Sequence, residues 1–251
     1  MSSLADLAPF AAGLLVLAGG TVALARVAGV GIGWTPLWAL ARAALQLTVV
    51  ALLLRGILTV EWTVVAFVAL MAATASWTAS GRLRELWHGR RAAVAGVVGG
   101  AAAALVLIFA LRLVDLEVRY VVATAGIVIG NSMSAATLTG RNFLRAARQR
   151  REEIEGWLAL GATPSEAHLE IGQEAVRESL LPNLDQTRST GLVTLPGAFV
   201  GALFGGASPA EAARFQLVVL AGIALAMTVC GVLVARLLGR TPYLTASPDR
   251  G

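Results

Sequence analysis

Seven runs of apolar residues, each close to the length of a membrane crossing, decide what solvent this chain folds in. They lie near 8–28, 35–54, 62–80, 92–113, 120–140, 188–207 and 213–238. A helix needs roughly 20 predominantly apolar residues to cross a bilayer core. Little chain is left for a water-soluble domain. The composition agrees, with 57% hydrophobic and 14% charged residues over 251 positions and a mean hydropathy of +0.75. Few soluble domains are so apolar. The expectation is an all-α polytopic membrane protein of about seven transmembrane helices, forming one transmembrane domain over residues 1–251 with a cytoplasmic segment at 141–187. Asp6 and the lack of any basic residue precede the first run. A cleavable signal peptide has a positive start, so the first span is expected to be retained.

The net charge of +5 comes entirely from arginine, because the chain has no lysine. Arg82, Arg84, Arg90 and Arg91 crowd the loop after the third run, Arg141, Arg145, Arg148, Arg150 and Arg151 follow the fifth, and Arg236, Arg240 and Arg250 follow the seventh. The opposite loops hold Arg55, Arg112, Arg119 and Arg214, mostly beside Glu61, Asp115, Glu117 or Glu211. The positive-inside rule then puts the N-terminus outside and the C-terminus in the cytoplasm. Basic flanks of membrane spans account for the charge without nucleic acid as a partner. The missing lysine also excludes a Walker A phosphate loop, whose lysine reaches the nucleotide phosphates. A lone Cys230 cannot form an internal disulfide and reads as a small buried residue.

Between the fifth and sixth runs, residues 152–182 are charged and helix-forming, placed where a soluble partner could push on them. A short helix is expected at 152–160, with Glu152 and Glu153 at the positive end of its dipole and Gly161 as a left-handed cap. Ile154, Trp157 and Leu158 share one face, with Glu155 and Ala159 turned away. That face either docks in a partner's groove, with Trp157 as anchor, or packs on the chain's own helix ends or the lipid interface. Thr163, Pro164, Ser165 and Glu166 read as N-cap, first helical proline and capping-box glutamate, and Ser208-Pro209-Ala210-Glu211 repeats the device.

The run from Ile154 to Ala167, IEGWLALGATPSEA, resembles the coupling-helix region of ABC-transporter membrane subunits. Three further blocks narrow the resemblance: Gly130-Asn131-Ser132-Met133, the GLVTLPG stretch from Gly191 to Gly197, and Ser208-Pro209 through Phe215-Gln216. In this order the chain is similar to the iron-export permease family, whose plant relatives are the aluminium-sensitivity proteins. The likeness is strongest from Gly126 to Val219. It implies a permease in the bacterial cytoplasmic (inner) membrane, working as a pair of copies with a separate soluble ATPase that binds ATP and Mg. This chain itself would bind no cofactor. Iron or another metal ion is the implied cargo, with a nucleotide-sugar or another solute, or mechanical signalling without transport, as alternatives. By the same likeness, Glu152, Glu153, Ile154, Glu155, Trp157, Leu158, Leu160, Gly161, Ala162, Thr163 and Pro164 would meet the ATPase. The segment has no literal EAA, Leu181-Pro182 comes later than in the importer version, and Ala202 follows Gly201 where a polar or larger residue is common.

The spans carry little chemistry of their own. Gly197, Gly201 and Gly205 are four apart in the 188–207 run, spacing that permits close helix approach, and Gly96–Gly100 and Gly126–Gly130 are shorter versions. Pro196 in that run predicts a kink, and with Gly191 makes it a candidate hinge. Asn131, Ser132, Met133 and Ser134 form the densest polar cluster, continued by Thr137 and Thr139, with Ser189, Thr190 and Thr194 able to face it; they either bond between helices or line a path. His88, His168 and the carboxylates lie outside the spans, so no metal-ligand set is visible and any metal residues are unknown. Arg42 and Gln46, one turn apart in the second run, are the main polar intrusion: Arg42 either snorkels to the headgroups or faces a central cavity. A transport assay separates the two, because Arg42→Ala abolishes transport only if the cavity role holds.

Overall fold

The computed structural model describes residues 4–57 and 61–241. Arg250 lies outside the described residues, as do the side chains of Asp6, Arg55 and Glu61. Among the described residues the structure is helical, with one isolated bridge between Thr190 and Thr194. It divides into two units, Met1–Val60 and Glu61–Gly251.

The first unit is a helical hairpin of α1 (Leu4–Val27) and α2 (Thr35–Ile57). Gly29 and Gly33 turn the chain with positive φ, and the Arg26 guanidinium lies 4.4 Å from the Trp34 ring centroid. Both helices are long and apolar enough to cross a membrane. Within them the Thr21 and Thr48 hydroxyls donate to the Leu17 and Ala44 carbonyls one turn back. Such bonds satisfy a hydroxyl where no water is available. Arg42 and Gln46 are both exposed on α2.

The second unit contains α3 (Glu61–Arg82), α4 (Gly89–Ala110), α5 (Val118–Gln149), α6 (Arg151–Ala159), α7 (Pro164–Ala167), α8 (Leu169–Ser189), α9 (Gly197–Phe204) and α10 (Pro209–Leu238). Its core is built from small residues, because in lipid, helices associate through close packing rather than by escaping water. Ala92, Ala93, Ala101 and Ala104 of α4 are buried. A Cβ on Gly100 would come 2.5 Å from the Ala226 carbonyl oxygen, and one on Gly96 would come 2.6 Å from Val234. The Gly96–Gly100 pair is thus the seat of α10 on α4. Cys230 is buried there, its thiol donating to the Ser132 carbonyl at 3.1 Å.

α5 and α10 run in the same direction. Tyr120 and Phe215, near their starts, bring ring centroids to 5.3 Å, and the Cys230–Ser132 bond joins their middles. The chain between them therefore has to travel back through the bundle. Most of the return is α8, whose Ser179 hydroxyl receives a bond from Thr139 of α5 at 3.0 Å. A turn follows, and then the short α9.

This corrects the reading of 188–207 as one apolar span. Six helices among the described residues are long and apolar enough to cross a membrane, and the 188–207 window is not one of them. Gly191, at φ +94°, closes a turn in which its N–H donates to the Thr194 carbonyl at 2.8 Å. Pro196 is the N-cap of α9 rather than a kink inside a helix. The physical reason is local: glycine takes the left-handed backbone, and proline pre-sets the start of a new helix without needing a donor there.

The α4–α10 seat gives a stability test. Gly100→Val should lower the unfolding midpoint of the detergent-solubilised protein, with a cost of about 1–3 kcal/mol from overpacking against a backbone carbonyl. Gly81→Ala in α3, where a Cβ meets nothing within 4 Å, is the control and should hold the midpoint or raise it slightly, because alanine is the better helix former.

Candidate functional site

A joint forms where α5 ends, because a single residue, Arg150, separates it from α6. Its guanidinium grips Glu153 through Nε and Nη2 at 2.7 Å each, then reaches Glu170 at 2.9 Å and Glu174 at 3.5 Å on α8. The hydrogen bond from Arg150 holds the Glu153 carboxyl below its ordinary range. One arginine thereby ties the first turn of α6 to the first half of α8. Arg151 pairs with Glu155 at 2.8 Å on the outer side.

Beyond α6, Gly161 at φ +92° ends the helix as expected, with N–H donation from Gly161 to Leu158 and from Ala162 to Trp157. The capping box at Thr163 is also present: Thr163 N–H donates to Glu166 at 2.7 Å, and Glu166 N–H donates to Thr163 Oγ1 at 3.4 Å. The backbone bond from Thr163 keeps the Glu166 carboxyl below its ordinary range. α7 lasts only four residues before the chain steps at His168 into α8. His168 is buried, with Nδ1 2.8 Å from the Pro164 carbonyl and its ring stacked near Phe143. It holds the step together.

The face of α6 is divided. Ile154 is wholly buried in the core and Leu158 packs against it, whereas Trp157 is 51% and Leu160 83% exposed. The i, i+3, i+4 stripe is therefore split: Ile154 and Leu158 seat the helix on its own protein, one of the two placements open to that face, while Trp157 stays half outside that contact. The apolar surface that α6 leaves exposed is Trp157 and Leu160, with Glu152, Gly161 and Thr163 exposed nearby and Ala162 and Pro164 half-buried.

A cavity of about 880 Å³ opens between α5, α8, α9 and α10. Asn131, Asn183, Gln186 and Thr190 give it carboxamide and hydroxyl groups, and Arg119 and Glu211 also line it. Asn131 uses one amide hydrogen on the Ile127 carbonyl at 2.8 Å. Gly197, Gly201 and Gly205 line the same space, and a Cβ at Gly197 or Gly201 would meet nothing within 4 Å. Among the described residues that stripe borders the cavity, with no helix of the same chain packed on Gly197 or Gly201. Gln216, buried on α10, accepts the Phe199 N–H at 3.1 Å and so caps α9 from another helix.

Other expected path residues separate from Asn131. Ser132 is wholly buried, Met133 packs against the core, and the Ser134 hydroxyl donates to its own helix at Gly130. Thr194 sits in the turn before α9 and is outside the cavity lining. A helix shows successive residues to different neighbours, so a contiguous polar quartet cannot all face one space. Asn183 and Gln186 were missed because α8 reads as a soluble segment by charge. Arg150 was named only for topology. Glu153 lies at local spacing, but the partners on α8 are 20 and 24 residues away, beyond any local spacing rule.

Six long apolar helices with a polar, composite return between α5 and α10 define a polytopic helical membrane protein. The chain belongs to the family described as Uncharacterised protein family (UPF0014), whose profile matches residues 8–243. It is 34% identical to the UPF0014 membrane protein STAR2 of Oryza sativa subsp. japonica over 84% of this chain and 75% of that protein. Protein ALUMINUM SENSITIVE 3 of Arabidopsis thaliana is 33% identical over 78% of this chain and 72% of its own length. The Escherichia coli K12 protein named "Probable iron export permease protein FetB" is 28% identical over 73% of this chain and 71% of its own. No solved structure matches. The protein is integral to the membrane.

The Arg150 joint makes stability depend on pH in a definite direction. Glu153 is depressed from 4.5 in the folded state, so its contribution is present above the unfolded value and is lost as pH falls through the lower folded one. Acidification of the solubilised protein should lower the wild-type unfolding midpoint more than that of Arg150→Gln, whose carboxylates have no guanidinium to lose.

Proposed function

We propose that this chain is the permease subunit of an ABC transporter in the bacterial cytoplasmic (inner) membrane, exporting iron or another metal ion. A separate soluble ATPase supplies the energy. The observation that carries the reading is the continuity from Trp157 to the cavity. Trp157 and Leu160 project from a helix whose other face is locked to the core, and Arg150 binds that helix to α8, which bears Asn183 and Gln186. Displacement of α6 is thereby passed to a cavity wall. The kinship with the protein named as an iron export permease supports the cargo.

In this reading two copies of the chain work with two ATPases that hold the ATP and Mg, and closure of the ATPases swings α6 and α8 between two arrangements. The cargo is met by neutral oxygens of Asn131, Asn183, Gln186 and Thr190, the donor type that hard cations prefer. Among the described residues no group of three or more His, Cys, Asp or Glu side chains could hold a metal ion. The same amide and hydroxyl lining favours, as a second reading, a hydroxyl-rich solute such as a nucleotide-sugar.

Co-reconstitution of the chain with an ATPase encoded beside it, in liposomes, tests both readings by comparing ATP-dependent movement of iron, other metals and UDP-sugars. Iron movement is expected; UDP-sugar movement without iron supports the second reading instead. Trp157→Ala should weaken ATPase capture about 30-fold, the effect of losing an anchor worth about 2 kcal/mol, and, although the Trp157 side chain also bonds Glu153, should move the unfolding midpoint much less than a change at the buried Ile154. Ile154→Ala should instead destabilise the fold by about 2–5 kcal/mol. Capture unaffected by Trp157→Ala would remove α6 as the docking helix.

A further inference from the structure

A second large recess lies away from the cavity, between α8 and the end of α10, with a volume of about 910 Å³. Its wall is apolar where Val176, Leu180 and Val232 meet, and Arg177, Arg236 and Arg240 stand exposed around it. Among the described residues no carboxylate belongs to its lining. The contrast with the cavity is chemical, because there Arg119 is accompanied by Glu211. Of the acidic side chains near it on α8, Glu170 and Glu174 are held by Arg150, and Glu178, beside Arg177, is exposed and stands outside the lining. Three cations therefore share a greasy groove whose described walls hold no anion of the protein's own.

Position selects the occupant. Arg236 lies in the last turn of α10 and Arg240 just beyond it, at the level where a membrane-crossing helix meets the headgroups. The apolar residues extend from there along α8 and α10 toward the membrane interior. A site with guanidinium groups at headgroup height and aliphatic side chains below it has the polarity of a single anionic phospholipid. Basic pockets between membrane helices hold acidic headgroups in this way, and the planar guanidinium suits phosphate oxygens.

We propose that the groove between α8 and α10 seats an anionic phospholipid, its phosphate among Arg177, Arg236 and Arg240 and its chains along Val176, Leu180 and Val232. The lipid braces the side of α8 that faces away from α5. Its presence would couple the movement of α8 to the charge of the membrane, whatever the cargo.

Native mass spectrometry of the purified full chain, offered equal amounts of phosphatidylglycerol and phosphatidylcholine, tests this directly. Phosphatidylglycerol should be retained in clear excess, and Arg177→Gln, Arg236→Gln and Arg240→Gln should each reduce that excess about fivefold, the weight of one cation near a lipid headgroup. Arg→Lys at the same sites should keep most of it. Leu180→Trp, which fills the groove and leaves all three charges, should also lose the bound lipid. It serves as the decisive variant if a charge variant fails to purify as a single species. Equal retention of the two lipids by the wild type would overturn the proposal in favour of a groove covered by other protein. Unchanged preference in the arginine variants or in Leu180→Trp would overturn it by placing the lipid elsewhere.

Discussion

The parallel course of α5 and α10 is the constraint from which the rest of the second unit follows. Two neighbouring helices pointing the same way require the chain between them to recross the bundle, and here the returning helix is polar. Charged helices at membrane depth are stable only where protein or water receives their side chains. α8 meets that condition on two sides: Thr139 reaches Ser179 from α5, and α10 presents Ala235 and Gly231 to Gly172 and Val176. Its later turns carry Asn183 and Gln186 into the cavity. A polar return creates a polar cavity as a matter of geometry.

Arg150 turns this arrangement into one connected body. One guanidinium gathers three carboxylates from two helices, each of them largely exposed. Exposed pairs taken singly contribute little to stability. Here the bonds span the end of α5, the start of α6 and the first half of α8, so their importance lies in restricting relative motion. The buried Ile154 adds an apolar contact beneath the same joint.

What was readable in the sequence was mostly local. Both capping boxes form at the residues that spell them, Thr163–Glu166 and Ser208–Glu211, because cap chemistry is decided within four residues. Gly161 takes its left-handed role for the same reason. The apolar windows found six long helices, yet averaging hydropathy over 188–207 hid the turn at Gly191 and the restart at Pro196, though both residues were visible as punctuation. The stripe of Ile154, Trp157 and Leu158 was real as a period. Period reports which residues share a face and says nothing of what covers it, so the division between the buried Ile154 and the exposed Trp157 had to come from tertiary packing. The Asn131 cluster shows the reverse: one residue faces the cavity, and its neighbours are claimed by the core and by the helix's own carbonyls.

The cap that Gln216 provides to α9 has a further meaning. An ordinary helix start is held by a residue of its own chain segment and moves with it; this one is held by a side chain of a different helix across a single bond. The orientation of a 30-residue helix is thus written into one amide proton on an eight-residue helix. Rotation of α10 about its axis withdraws the acceptor and leaves the Phe199 N–H without it, making that proton a native gauge of whether the two helices are in register.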